Sequence, residues 1–225
     1  MPRRSTKFYR KQVASGLRRG AESISVYKGC KDRIYSDVAW LKKKAQLLNT
    51  EVKRVDTAGS AQTVEAVAGG ANAILFSGID QGDGNTNRDG NSVKCVSAHA
   101  RMKLNFNTSA TTGSIVRVMI IKTSYGEGIT PTAADMYQNA ANILSFQNVD
   151  QTRGHKILFD RRYVLDAEHD TKVVNWNANL RHHLKFDASG SADHTYGMLW
   201  FLILTDEATN RPTYDYETRV RFVDN

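Results

Sequence analysis

The sequence predicts an all-β domain, a sandwich or jelly roll of about eight strands, behind a basic N-terminal arm and with only short helices. Three observations carry that expectation. Beyond residue 50 the chain breaks into runs rich in β-branched and aromatic residues, several alternating with period two. The pieces between them, such as GDGNTNRDGN, NTSATTG and DASGSAD, are rich in Gly, Asn, Asp and Thr, and no strand–helix–strand rhythm appears. Charge is also polarised: residues 1–54 hold 15 basic and 4 acidic side chains (+11), while the other 171 residues hold 16 and 19 (−3).

Residues 1–36 form the arm. Its first 20 residues combine Arg3, Arg4, Lys7, Arg10, Lys11, Arg18 and Arg19 with Phe8 and Tyr9, and have little else to bury. Such a segment orders against a partner, and clustered cations beside a nearly neutral body point to a polyanion. Solubilising or nuclear-targeting tails share this composition. Residues 37–49, including DVAWLKKKAQLL, place Val38, Leu41, Ala45 and Leu48 at helical spacing, with Lys42, Lys43 and Lys44 around the other side. This reads as an amphipathic basic helix whose lysines either reach phosphates or are simply solvated.

The remaining residues, 50–225, are read as one domain. Strands are expected at 51–58, 71–77, 93–108, 114–124, 155–167, 171–186, 195–206 and 214–224. Met102, Leu104 and Phe106 oppose Arg101, Lys103 and Asn105, and Val220 and Phe222 oppose Arg219 and Arg221, as on sheets with one buried face. One helix is expected from Thr132 to Ala141, after Pro131. Trp176, Phe186, Tyr196, Trp200 and Phe201 lie inside strand patterns and belong to a core or a subunit contact.

Motifs for catalysis are missing from the sequence. In DGNTNRDGN, Asp83, Asn85, Asn87 and Asp89 alternate like calcium ligands, but the sixth and twelfth positions are Arg88 and Lys94 instead of Gly and Glu. A tight turn is the better reading, with Arg88 beside Asp89 available for a salt bridge between subunits; a looser calcium site between subunits stays open. Adjacent His182 and His183 point to opposite sheet faces and cannot share a metal. Phosphate loops, dinucleotide fingerprints and nucleophile elbows are all lacking, so no enzyme is inferred and no cofactor is required. Cys30 and Cys95 are too few for a disulfide framework; buried reduced thiols are expected, with a single bridge as the alternative. The start MPRRSTKFYRKQ has no apolar run for a secretory leader, and GMLWFLIL is about half a membrane span, so a soluble chain with no membrane partner is expected.

Residues 74–106, ILFSGIDQGDGNTNRDGNSVKCVSAHARMKLNF, resemble single jelly-roll coat proteins of small icosahedral viruses, those of satellite tobacco necrosis virus and of circular single-stranded DNA viruses. The shared pattern is an apolar strand, then Gln81, Gly82, a polar gap, Arg88, Asp89, Gly90 and Val93 opening the next strand. Likeness continues through 116–148 and Lys156 to Arg162, and upstream in Leu48, Asn49, Glu51 and Lys53. It covers about half of the chain and thins after residue 170.

The resemblance implies eight antiparallel strands in two four-stranded sheets, a shell of sixty copies (T=1), an inward basic arm and, in the satellite virus, calcium between subunits. It implies location in the virion, with assembly in the host nucleus or cytoplasm. Single-stranded DNA or RNA would be held by Arg3, Arg4, Lys7, Phe8, Tyr9, Arg10, Lys11, Arg18, Arg19 and Lys42, Lys43 and Lys44. Subunit contacts are expected at the turns 83–91 and 124–131, through Arg88, Asp89, Tyr125 and Glu127. The rival readings are a cellular sandwich that binds carbohydrate and a nonviral nucleic-acid-binding module.

Overall fold

Period-two alternation is realised as two sheets. The computed structural model describes residues 37–42, 51–67, 73–124, 130–148, 154–192 and 194–224. The chain divides into two units, Met1–Thr50 and Glu51–Asn225. In the first, residues 37–42 are helical, with Val38, Trp40 and Leu41 exposed; the rest of the expected helix, and the arm, lie outside the described residues.

The second unit carries strands β1 (Val52–Thr63), β2 (Glu65–Ala66), β3 (Ile74–Leu75), β4 (Ser92–Asn105), β5 (Ser114–Thr123), β6 (His155–Leu165), β7 (Thr171–Phe186), β8 (His194–Tyr196), β9 (Leu199–Thr205) and β10 (Thr213–Asp224). One sheet has the order β1-β10-β4-β7-β8; the other is β2-β9-β5-β6, with β3 also paired to β9. All pairings are antiparallel except β2 with β9.

If β2 and β3 are counted as the second run and β8 and β9 as the seventh, the first run pairs with the eighth, second with seventh, third with sixth and fourth with fifth. That is one long hairpin rolled onto itself, the jelly-roll topology. The seventh run was expected as one strand over 195–206 but is divided between the sheets at Gly197 and Met198. Gly197 has φ +81°, and a Cβ there would lie 2.1 Å from the His183 carbonyl oxygen. Only glycine lets the strand turn that corner.

Inner-facing Val93, Cys95, Ala98, Ala100, Met102, Leu104, Val220 and Phe222 form the first sheet's half of the core. β9 is buried along all seven residues and β5 nearly so, which explains their unbroken apolar runs. Part of the second sheet's outer face is covered by the segment 133–147: the Tyr137 hydroxyl donates to Met119 Sδ at 3.4 Å, and Arg117 donates to the carbonyls of Ile143 and Ser145 at 2.8 Å each.

The helix there is shorter than expected, Ala133–Met136 instead of Thr132 to Ala141. Its start is fixed by the Asp135 carboxylate, which accepts the Thr132 amide at 2.9 Å and hydroxyl at 2.7 Å. It ends at Tyr137, whose backbone is extended and bridges Gln147, and it does not resume because the Asn139 and Asn142 side chains accept the amides of Ala141 and Leu144 in local turns that compete with helical hydrogen bonds. Of the strand expected at 71–77, residues 71 and 72 lie outside the described residues, and within 73–77 the strand is Ile74–Leu75. β1, by contrast, runs past its expected end at 58 through a bulge at Gly59–Gln62, where Asp215 Oδ1 accepts the Ala61 amide at 2.8 Å.

Candidate functional site

The turn 83–91 was expected to present Arg88 to a neighbouring subunit. Arg88 is instead fully buried. Its Nε donates to the Ile79 carbonyl at 2.9 Å, and Nη1 to the Gly90 carbonyl at 2.6 Å and Asn91 Oδ1 at 3.2 Å. Nη2 donates to the Ala188 carbonyl, and the guanidinium lies 4.2 Å from the Phe186 ring centroid. A planar five-donor group satisfies several buried carbonyls at once, so Arg88 joins the turn to the loop after β7 and is not a surface contact.

Asp89 is exposed but engaged: Lys53 Nζ lies 2.9 Å from its Oδ1 and 2.8 Å from Asp224 Oδ2. Hydrogen bonds to Asp224 and then Asp89 raise the Lys53 pKa well above its usual value. This triad joins the start of β1, the turn and the end of β10.

Lys42 is exposed in the helical segment. Arg3, Arg4, Lys7, Phe8, Tyr9, Arg10, Lys11, Arg18, Arg19, Lys43, Lys44, Tyr125 and Glu127 lie outside the described residues. Among those described, no three His, Cys, Asp or Glu residues gather to hold a metal ion, and no helix is long and apolar enough to cross a membrane. His182 and His183 do diverge: His182 is half-buried with Nε2 2.7 Å from the Gly197 carbonyl oxygen, while His183 is exposed.

A concentration of charge that no local motif announces lies on the outer face of the first sheet. Alternation in β4 and β10 turns Met102, Leu104, Val220 and Phe222 inward and leaves Arg101, Lys103, Arg219 and Arg221 outside. Strand register then aligns them in rows. Arg54 of β1 stands opposite Arg221 of β10, which faces Ser97 of β4 and, beyond it, Asn179 of β7. The next row is Asp56, Arg219, His99 and Asn177; after it come Ala58, Glu217, Arg101 and Asn175.

Arg219 is committed: Nε and Nη2 donate to the two Asp56 oxygens at 2.7 Å each. Those bonds, with help from Arg54 and Arg221, hold the Asp56 carboxyl below its usual pKa. Among the described residues no carboxylate lies within ion-pair distance of Arg54, Arg101 or Arg221. His99, Arg101, Glu217, Thr218, Arg219 and Arg221 line a shallow depression of about 320 Å³.

With Lys94 and Lys103, the outward residues of β1, β10 and β4 include six cations against Asp56, Asp215 and Glu217. These residues are therefore net +3 on a unit, 51–225, whose 18 basic and 20 acidic side chains sum to −2. Each half of this pattern is visible as alternation in the sequence, but the convergence is not. It depends on the third and eighth runs being sheet neighbours, which only the topology reveals.

No family model and no curated protein matches the chain. Among solved structures it is similar to that of broad bean stain virus, at 14% identity over 76% of this chain and 86% of that one, with a TM-score of 0.34. It is also similar to the structure of deformed wing virus carrying the GFP gene, at 13% identity over 76% of each chain, with a TM-score of 0.27. At these scores the jelly-roll assignment rests on the strand order itself.

Proposed function

We propose that this chain is the coat protein of a small icosahedral virus, which self-assembles into a closed shell of sixty copies around single-stranded nucleic acid. Its role is structural, in the virion, with assembly in the host nucleus or cytoplasm. The observation that carries the reading is the charge polarity: +11 in residues 1–54 ahead of a jelly-roll body of net −3. Carbohydrate-binding sandwiches share the topology, but sugar recognition gives no reason for a cationic arm, whereas phosphates reward one through counterion release.

Sixty copies of residues 1–54 would present about 660 positive charges, a substantial fraction of the charge on roughly one to two thousand phosphates. The jelly roll supplies loops and sheet faces for symmetric contacts, and the arm supplies sequence-indifferent affinity.

Negative-stain microscopy of the expressed chain, with nuclease digestion before and after heating, tests this. Uniform shells that protect nucleic acid until heated are expected. A dispersed monomer at every protein and salt concentration would overturn the proposal. A chelator arm reads the further proposal of calcium between subunits: that ion is supported if shells open with EDTA and reclose with calcium, and rejected if they ignore both.

A further inference from the structure

We infer that the outer face of the first sheet is a second nucleic-acid site, one that holds the phosphate backbone of a single strand across β1, β10 and β4. The inference rests on the coat-protein reading and adds to it a surface outside the basic arm. Three observations converge.

First, Arg54 and Arg221 are directly opposite one another, an arrangement of like charges that costs a sheet stability unless an anion lies between them. Asp56, the adjacent carboxylate, is already held by both Arg219 donors.

Second, alternate residues along a strand recur about 6.8 Å apart, so the Arg221 row and the Arg101 row, with the Asp56–Arg219 row between them and Glu217 opposite Arg101, stand two steps or about 14 Å apart, a span that two or three phosphates of an extended polyanion can bridge. On the β7 side, exposed Asn175, Asn177 and Asn179 repeat at the same spacing and add amide donors for phosphate or sugar oxygens.

Third, the aromatic residues of β7 and β10, Trp176, Phe186, Tyr214, Tyr216 and Phe222, pack into or against the core, so among the described residues of these strands no stacking platform faces the cations. Binding there is accordingly led by phosphate and indifferent to base sequence.

The test is a fluorescence titration of the full chain with a labelled thymidine homopolymer over a range of salt concentrations. R54Q/R101Q/R221Q is compared with R54Q, R101Q and R221Q singly and with K156Q/R161Q/R162Q, which removes equal charge from β6 in the other sheet. Each lost phosphate contact makes the slope of log affinity against log salt shallower by about 0.7, so the triple variant should lose about 2 and the control nothing. The single variants report the same loss per residue even if the triple variant fails to fold.

Slopes equal to wild type in the face variants, or an equal loss in the control, would overturn the inference while leaving the coat-protein reading intact. If the wild-type chain does not bind the homopolymer even at low salt, the packaging reading itself fails.

Discussion

Two arginines show how much of this fold depends on single forked donors. Arg117 is 1% exposed, and its Nε and Nη2 donate to the two Asp160 oxygens at 2.7 and 2.6 Å. Burial alone would push the Asp160 carboxyl up, but the Arg117 hydrogen bonds and charge outweigh it and hold the carboxyl below its ordinary value. Arg88 does similar work with the backbone carbonyls of Ile79, Gly90 and Ala188 and the side chain of Asn91, reaching Ala188 a hundred residues away. Replacing Arg88 with Met leaves those acceptors buried without a donor and should cost about 3 kcal/mol. Lys cannot reproduce the fork, so Arg88→Lys should lose most of the same amount. Urea midpoints at constant slope check both; a wild-type midpoint in either variant would show that water takes over the carbonyls.

At the scale of elements, the Arg54–Arg221 like-charge pair, only partly relieved by Asp56, predicts that β1 and β10 are less stable together than they could be. In nucleic-acid-free protein at low salt, Arg221→Gln should raise stability by a few tenths of a kcal/mol, a gain that fades as salt screens the pair. Thermal melts at two ionic strengths read it, and a destabilised variant would mean that Arg221 has a structural partner. The strands themselves were legible because alternation follows directly from a half-buried sheet: Arg219, Val220, Arg221 and Phe222 declare their faces without any knowledge of neighbours. What lay beyond the sequence was non-local. Gly197 looks like any strand glycine until the His183 carbonyl is placed beside it, and Arg88 looks exposed because its neighbours are turn formers. The helix over Thr132 to Ala141 was overextended because Asn139 and Asn142 offer local turns that periodicity does not register. The cationic face was missed for the same reason as Arg88: its residues meet only through strand order.

Over the whole molecule, half-buried imidazoles and paired carboxylates make stability fall with acid in two stages. Burial lowers the pKa of His155 and His182, and the buried Nδ1 of His155 has no hydrogen-bond partner. His182 also lies near Lys122, whose charge opposes protonation. The native state therefore binds fewer protons than the unfolded chain as pH drops below the ordinary histidine value of about 6.5, and stability declines there. A second decline begins near the ordinary carboxylate range, about pH 4, as Asp56 and Asp160, both depressed by arginine partners, are forced to protonate. Their contribution is present above the unfolded pKa and disappears as pH falls through the depressed folded values. Denaturant midpoints measured from pH 8 to pH 3 should show both stages. His155→Gln/His182→Gln should flatten the first and leave the second, whereas Asp160→Asn should lower stability at neutral pH and shrink the second. A first stage that survives loss of both imidazoles would place the neutral-range proton uptake elsewhere in the chain.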